Sequence, residues 1–210
     1  MPNYQKDNNV LIHLIKEDLI RCLPPYMYGC SIGSKSLLIR FVYEYFKFES
    51  FHYLFWFRVG SHILRRKGLI NKVLLRFIKM KHRHNCHRLG IQIELGTKIG
   101  PGFHFGHYSN IVITCKAKIG SNCTIHQGVT IGRTFNDGSG APNIGNNVII
   151  FPNSILIGGV SVGDNAIISA GSIVIKDVES KTVVGGNPAK PLNIDATSCI
   201  SDENKWFFGL

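Results

Sequence analysis

The sequence has 210 residues, enough for one large domain or two small ones, and 44% of them are hydrophobic, which argues against a disordered chain. Twenty-two glycines are too few for a collagen helix but indicate many tight backbone positions. The formal net charge of +11 is unevenly distributed, because residues 1–90 carry 16 basic and 5 acidic groups and residues 91–210 carry 8 of each. The excess positive charge therefore belongs to the first part of the chain.

The cysteine pattern favours reduced thiols. The six cysteines include no CxxC pair and have no regular spacing, and the polar opening Met1–Asn9 is unlike a secretory signal. We therefore expect free thiols in a cytoplasmic protein. The cysteines are Cys22, Cys30, Cys86, Cys115, Cys123 and Cys199.

Residues 1–90 are predicted to form an α-helical, basic and aromatic N-terminal domain. An apolar stripe with helical spacing stops before Pro24-Pro25, since proline ends a helix. A second helical segment is predicted from Ser36 to Phe57, and it holds ten of the 22 aromatic residues.

A third helix, predicted after Gly68, is basic and amphipathic. Between Arg65 and Arg88 there are nine Lys or Arg residues and no acid. Such helices bind anionic membrane surfaces, so we expect residues 41–88 to make peripheral contact with an anionic membrane; the alternative is that this face packs an oligomer. Nucleic-acid binding is not expected, because the aromatic cluster lies apart from the densest basic stretch. The predicted apolar face comprises Ile70, Val73, Leu74, Phe77 and Ile78.

From residue 93 the hydrophobic residues recur with a period of six. This period fits neither a strand nor a helix, but it fits three short strands per turn of a triangular solenoid with one inward side chain on each side. The predicted inward residues are Ile93, Ile99, Phe105, Ile111, Ile119, Ile125, Ile131, Ile144, Ile150, Leu156, Val162, Ile168 and Val174.

Two breaks interrupt this period. The interval from Ile111 to Ile119 is two residues longer than one hexad. The interval from Ile131 to Ile144, which contains the excursion 133–142, is one residue longer than two hexads. Insertions in a solenoid become surface loops, often at the binding face. The predicted organisation is therefore a helical domain over 1–90, a solenoid over 91–192 with loop 133–142, and a tail over 193–210.

Four segments resemble, in the same order, segments of the left-handed β-helix (hexapeptide-repeat) acyltransferases, in their serine acetyltransferase branch. The resemblance covers about 91–192, roughly half the chain. It implies a mainly β fold, a left-handed parallel β-helix preceded by helices, and an acetyl-CoA-dependent O-acetyltransferase. The segments are Gly-His-Tyr-Ser-Asn-Ile-Val-Ile (106–113), Gln-Gly-Val-Thr-Ile-Gly (127–132), Ala-Gly-Ser-Ile-Val (170–174) and Gly-Asn-Pro-Ala-Lys (186–190).

The resemblance implies that His107 is the general base. The matching histidine takes a proton from the acceptor hydroxyl while its oxygen attacks the thioester of acetyl-CoA, and a neutral imidazole suits this task near pH 7. For the acetyl-CoA site and its surroundings, the expected residues are His126, Thr130, Ala170, Gly171, Lys176 and Lys190. The resemblance also implies a homotrimer with active sites between neighbouring solenoids.

The sequence also departs from the serine enzymes. Their histidine-orienting aspartate, fifteen residues before the base, is Gln92 here, and Glu94 is a candidate substitute. An acid and a second histidine that contact the amino-acid substrate are replaced by Gly106 and Ala141. Together with the short N-terminal region, these losses favour a sugar or polysaccharide-precursor hydroxyl as acceptor, as in similar proteins of exopolysaccharide and capsule pathways. Serine O-acetylation for cysteine biosynthesis is the alternative.

Two other functions remain open from the sequence. One is a solenoid without catalytic activity. The other is a metal-dependent β-helix hydratase, for which His104, His107 and His126 are the candidate ligands, although their spacing does not match that family. The segment Lys81-His-Arg-His-Asn-Cys-His-Arg88 fits no common zinc spacing, so no metal is expected.

Overall fold

The computed structural model describes residues 8–22, 34–134 and 140–196. The predicted turn at Pro24-Pro25, residues 135–139 of the predicted loop and residues 197–210 of the predicted tail lie outside the described residues, as do Cys30 and Cys199. Within the described ranges, four helices are followed by fifteen short strands.

The helices are α1 (Asn8–Arg21), α2 (Ser34–Lys47), α3 (Glu49–Ile63) and α4 (Leu69–Leu89). The segment predicted as one unit from Ser36 to Phe57 is therefore two helices. They separate at Phe48, whose backbone is extended with φ −107° and ψ 108°. Because neither glycine nor proline marks this position, composition gives no signal for the break. Gly90 ends α4 in the left-handed region with φ 65°, as glycine commonly does.

The strands form three faces of a solenoid. The first sheet has the order β1-β4-β7-β10-β13, the second β11-β8-β5-β2 and the third β15-β14-β12-β9-β6-β3, and pairing is parallel except between β14 and β15. The strands are β1 (Ile91–Ile93), β2 (Lys98–Ile99), β3 (His104–Phe105), β4 (Ile111–Ile113), β5 (Lys118–Ile119), β6 (Thr124–Ile125), β7 (Thr130–Gly132), β8 (Asn143–Ile144), β9 (Ile149–Ile150), β10 (Ile155–Ile157), β11 (Ser161–Val162), β12 (Ile167–Ile168), β13 (Ile173–Val174), β14 (Thr182–Gly185) and β15 (Lys190–Asp195).

The core of the solenoid consists of the residues that define the hexads. All thirteen predicted inward residues are buried, each with a relative exposure of 8% or less. Their stacking in successive coils gives one continuous apolar core, which no single hexad could form. The final strand β15 runs to Asp195, past the predicted end of the solenoid at 192.

The strand pairing corrects both predicted breaks in the period. Ile93 pairs with Ile113 and not with Ile111, so the two extra residues lie before β4, in the turn that contains His107. The sequence could not decide this, because Ile111 and Ile113 are both apolar and both buried. The second break is one hexad with a seven-residue insertion, since β7 leads directly to β8 on the next face.

Asparagines turn one edge of the solenoid. Asn122, Asn147 and Asn165 lie in successive coils in the left-handed region, with φ of 57°, 55° and 60°. Asparagine tolerates this conformation better than most residues because its short polar side chain bonds locally. Here the amide of Asn147 donates a hydrogen bond to Oδ1 of Asn165 at 3.0 Å.

The helices dock on the first coils through a buried ion pair. Arg58 of α3 donates hydrogen bonds to both carboxylate oxygens of Asp18 in α1, at 2.7 and 3.1 Å, and also to the carbonyl oxygens of Ile99 and Gly100. Asp18 in turn accepts a hydrogen bond from the backbone N–H of Phe103. Burial raises the pKa of Asp18, and the Arg58 guanidinium opposes that rise.

Most of the apolar face predicted for the third helix is exposed in α4. Its buried face instead comprises Ile78, His82, Asn85 and Leu89. The exposed apolar side chains, which we call the α4 stripe, are Leu69, Ile70, Val73, Leu74, Phe77 and Met80, with exposures from 44% to 83%. Among the described residues, no helix is long and apolar enough to span a membrane.

Candidate active site

A cavity of about 450 Å³ lies between the helices and the turn that follows β3. The His107 side chain, on this turn widened by two inserted residues, is exposed and lines the cavity. The lining residues are Cys22, Phe48, Ser50, His104, Phe105, Gly106, His107 and Tyr108. The cavity wall formed by Phe48, between α2 and α3, and by Ser50 of α3 was not predicted, because no motif in the sequence marks it.

The His107 turn belongs to one edge of the solenoid. Hydrogen bonds connect the successive turns of this edge: Gly128 N–H donates to Ser109, Asn153 N–H to Gln127, and Gly171 N–H to Pro152, at 2.9 to 3.0 Å. Coils are spaced by about 4.8 Å, so Gly171 lies three coils, or about 14 Å, from the His107 turn. The predicted acetyl-CoA residues Ala170 and Gly171 therefore share an edge with His107.

Two side chains of the helical region hold the His107 turn from outside. The hydroxyl of Tyr108 donates a hydrogen bond to Glu49 at 3.2 Å, and the other Glu49 oxygen accepts from Arg88 at 2.6 Å. Burial, followed by the neighbouring Glu49 carboxylate, raises the pKa of Tyr108. Glu49 and Arg88 were not predicted as part of the site, because 39 residues separate them.

The His126 ring lies next to the His107 ring, with the two ring centroids 6.1 Å apart. It stacks on Phe151 with an interplanar angle of 9°, and its Nδ1 lies 3.1 Å from the carbonyl oxygen of Ile150. Burial lowers the pKa of His126, and the nearby His107 lowers it further. The stacking on Phe151 and the hydrogen bond to Ile150 fix the orientation of the His126 ring.

His104 lines the same cavity one strand earlier in the chain. Burial lowers its pKa to about 3, and the nearby charge of Arg21 acts in the same direction. His104 is therefore neutral near pH 7. Within the described ranges, no group of three His, Cys, Asp or Glu side chains is arranged to hold a metal ion.

Gln92 and Glu94, the two residues predicted to orient His107, are exposed. Gln92 is the outward residue of β1, and Glu94 lies past the end of β1, at the other edge of the first sheet. Within the described part of the chain, no hydrogen bond links either side chain to His107. Their predicted role stays a prediction.

The remaining predicted site residues lie in later coils of the solenoid. Thr130 is half-buried in β7, in the row that continues from Val112. Gly171 has φ 69° and open space around it, so its backbone is accessible to a ligand. Lys176 and Lys190 are exposed near the last coil. The structure places these residues in order along the solenoid, but no ligand contact tests their roles.

Comparison with known proteins identifies the repeat. Residues 141–176 match the model of the bacterial transferase hexapeptide (six repeats). The solenoid of this chain therefore carries the hexapeptide repeat of bacterial transferases. The sequence-based resemblance is thereby confirmed, together with the left-handed parallel β-helix preceded by helices.

The relatives of this hexapeptide-repeat protein are serine acetyltransferases. It is 38% identical over 133 residues to the serine acetyltransferase of Staphylococcus epidermidis, and 36% identical over 102 residues to that of Synechococcus elongatus. The alignments cover 62% and 48% of this chain, and 61% and 42% of the relatives. This chain thus spans about half the length of the curated relatives it matches.

Solved structures extend the likeness to the helices. The serine acetyltransferase of Neisseria gonorrhoeae superposes with a TM-score of 0.69 and 26% identity, covering 90% of this chain and 67% of that one. Its complex with serine gives a TM-score of 0.68, also at 26% identity, covering 88% of this chain and 70% of that one. Because the solenoid is only about half of this chain, such coverage includes the helical region.

These findings correct the predicted acceptor. A sugar or polysaccharide hydroxyl was favoured from the short N-terminal region and the losses at Gln92, Gly106 and Ala141. That prediction is wrong, because the relatives at 36% and 38% identity are named serine acetyltransferases and the helical region matches theirs in fold. The names support the predicted class of enzyme, an O-acetyltransferase.

Proposed function

We propose that this protein transfers an acetyl group from acetyl-CoA to the hydroxyl of L-serine. The observation that carries the proposal is the position of His107, exposed on a widened turn and facing a cavity of about 450 Å³. The names of the relatives select serine as the acceptor.

In the proposed reaction, His107 is the general base. Its neutral imidazole takes the hydroxyl proton of serine as the oxygen forms a bond to the thioester carbonyl carbon. The resulting oxyanion is stabilised by backbone N–H groups of the solenoid edge. When the intermediate collapses, the carbon–sulfur bond breaks. The leaving thiolate of CoA then takes the proton from the His107 imidazolium, which restores the neutral base.

Acetyl-CoA is expected to lie along the edge that joins His107 to Gly171. Open space around Gly171 allows a pantetheine arm to approach the backbone closely. Lys190 and Lys176 are proposed partners of the CoA phosphates, because both are exposed cations near the last coil. No metal is needed for this chemistry.

A homotrimer would complete the site. Among the described residues, the cavity lining contains no Asp, Glu, Lys or Arg. The ammonium and carboxylate groups of serine therefore require partners from elsewhere, and a neighbouring solenoid can supply them.

We place this reaction in the cytoplasm, with the α4 stripe in peripheral contact with an anionic membrane.

A thiol-release assay tests the proposal. The protein is incubated with acetyl-CoA and L-serine, and free CoA is measured together with O-acetylserine by mass spectrometry. D-serine and L-alanine are the matched controls, since one inverts the stereocentre and the other lacks the hydroxyl. We expect release with L-serine alone; release no faster than acetyl-CoA hydrolysis would disprove the proposed function.

A further inference from the structure

The His126 ring carries a hydrogen-bond acceptor in a fixed place. Its Nδ1 lies 3.1 Å from the carbonyl oxygen of Ile150, and a carbonyl can only accept, so Nδ1 bears the proton. In the neutral ring the other nitrogen, Nε2, is then an unprotonated acceptor. Stacking on Phe151, with centroids 5.2 Å apart, prevents the ring from turning away.

Nε2 of His126 faces the backbone next to His107. A Cβ atom added at Gly106 would lie 2.5 Å from this nitrogen, closer than real side chains approach. Glycine at 106 is therefore required by the position of the His126 ring. The ring occupies the space beside the residue that directly precedes the proposed base.

His126 also has the charge state that this role needs. Burial is the largest cause of its lowered pKa, and the titratable group that adds to the effect is His107. The lowered pKa favours the neutral ring, in which Nε2 is an acceptor. Gln92 and Glu94, the residues expected to orient the base, are both exposed and lie elsewhere on the first sheet.

We propose that His126 is a positioning residue for His107, an inference that rests on the proposed function. The two ring centroids are 6.1 Å apart. Nε2 of His126 accepts a hydrogen bond from the His107 ring, either through one bridging water or after a small rotation of the His107 side chain. This contact fixes the His107 tautomer, so that its other nitrogen faces the acceptor hydroxyl. It also stabilises the imidazolium that forms when that hydroxyl gives up its proton.

Three variants test the role of His126. His126→Phe keeps the stacking on Phe151 and removes Nε2, His126→Gln restores an acceptor near the same place, and His13→Phe on α1 is the matched control. Loss of orientation in His126→Phe is expected to lower kcat about 10- to 100-fold, with little change in KM for serine. The acidic limb of the pH profile moves to lower pH, because the imidazolium loses its acceptor. His126→Gln is expected to have a higher kcat than His126→Phe and a smaller shift of the acidic limb.

A measurement without substrate separates this inference from the proposed function. NMR of ¹⁵N-histidine reports the tautomer of His126 and the titration midpoint of His107. We expect a protonated Nδ1 in His126 and a lower His107 midpoint in His126→Phe than in the unsubstituted protein. Unchanged kcat and an unchanged His107 midpoint in His126→Phe would overturn the inference. A shifted midpoint in a protein that does not acetylate serine would disprove the acceptor and leave the His126 role standing.

Discussion

His107 owes its exposure to the two residues inserted before β4. In a regular hexad the chain would pass from the third face to the first face two residues sooner. On the widened turn the His107 side chain lines the cavity, while Tyr108 and Glu49 hold the turn to α3. An exposed histidine on a turn contributes little to packing.

We therefore expect His107→Ala to abolish activity without unfolding the protein. Loss of a general base typically costs about 10²- to 10⁴-fold in rate. Thiol release with L-serine measures the loss, and circular dichroism and the melting temperature serve as the folding control. A variant that keeps more than about one tenth of the activity would remove His107 from the role of base.

His104 gives the fold a dependence on pH. Its folded-state pKa of about 3 is well below the ordinary histidine value of 6.5, so the unfolded chain binds a proton that the folded chain excludes. The free energy of unfolding is therefore expected to fall as pH drops from about 6.5 towards 3. Urea unfolding across this range measures the slope, and His104→Gln should flatten it. An equal slope in the variant would assign the pH dependence to other groups.

At the scale of elements, the helices are positioned by charge as well as by packing. The Asp18–Arg58 pair is almost fully buried, with side-chain exposures of 1% and 4%, and it ties α1 and α3 to the first coils. A buried pair is a weak source of stability compared with apolar packing, but removal of one partner leaves an uncompensated charge. Helix docking, and with it the cavity wall at Phe48, depends on this pair.

Arg58→Leu is expected to lower the free energy of unfolding by about 3–5 kcal/mol, because Asp18 is then buried without its partner. The double variant Asp18→Leu/Arg58→Leu should recover part of this loss. Arg88→Leu is the control, since the Arg88–Glu49 pair is exposed and worth at most about 1 kcal/mol. Similar destabilisation by Arg58→Leu and Arg88→Leu in urea unfolding would contradict the argument.

In the whole molecule, the α4 stripe adjoins most of the excess positive charge. Nine Lys or Arg residues and no acid lie between Arg65 and Arg88, while residues 91–210 are neutral in sum. Stripe-to-stripe packing of two copies would bring like charges together. An anionic lipid surface complements both the apolar side chains and the cations.

We expect the protein to co-sediment with vesicles containing anionic phosphatidylglycerol, and to lose binding at high salt. Arg76→Gln/Lys79→Gln should weaken binding by about 2 kcal/mol, or roughly 30-fold, at about 1 kcal/mol per charge. Ile12→Ser on α1 is the control for an exposed apolar residue. No binding to the vesicles at low salt would refute the proposal. A smaller assembly for Phe77→Ser than for the unsubstituted protein would show instead that copies of the chain cover the α4 stripe.

The solenoid could be predicted from the sequence, because one inward apolar residue per hexad is a local and repeated requirement, visible from Ile93 to Val174. The sequence also pointed to His107, through its flanking residues. The position of the first insertion, before β4, could not be predicted, since Ile111 and Ile113 are both apolar and the register depends on strand pairing. The same holds for the Asp18–Arg58 pair and for the His126 ring against Gly106. These contacts join residues far apart in sequence, and their energies depend on burial and distance, which no local pattern records.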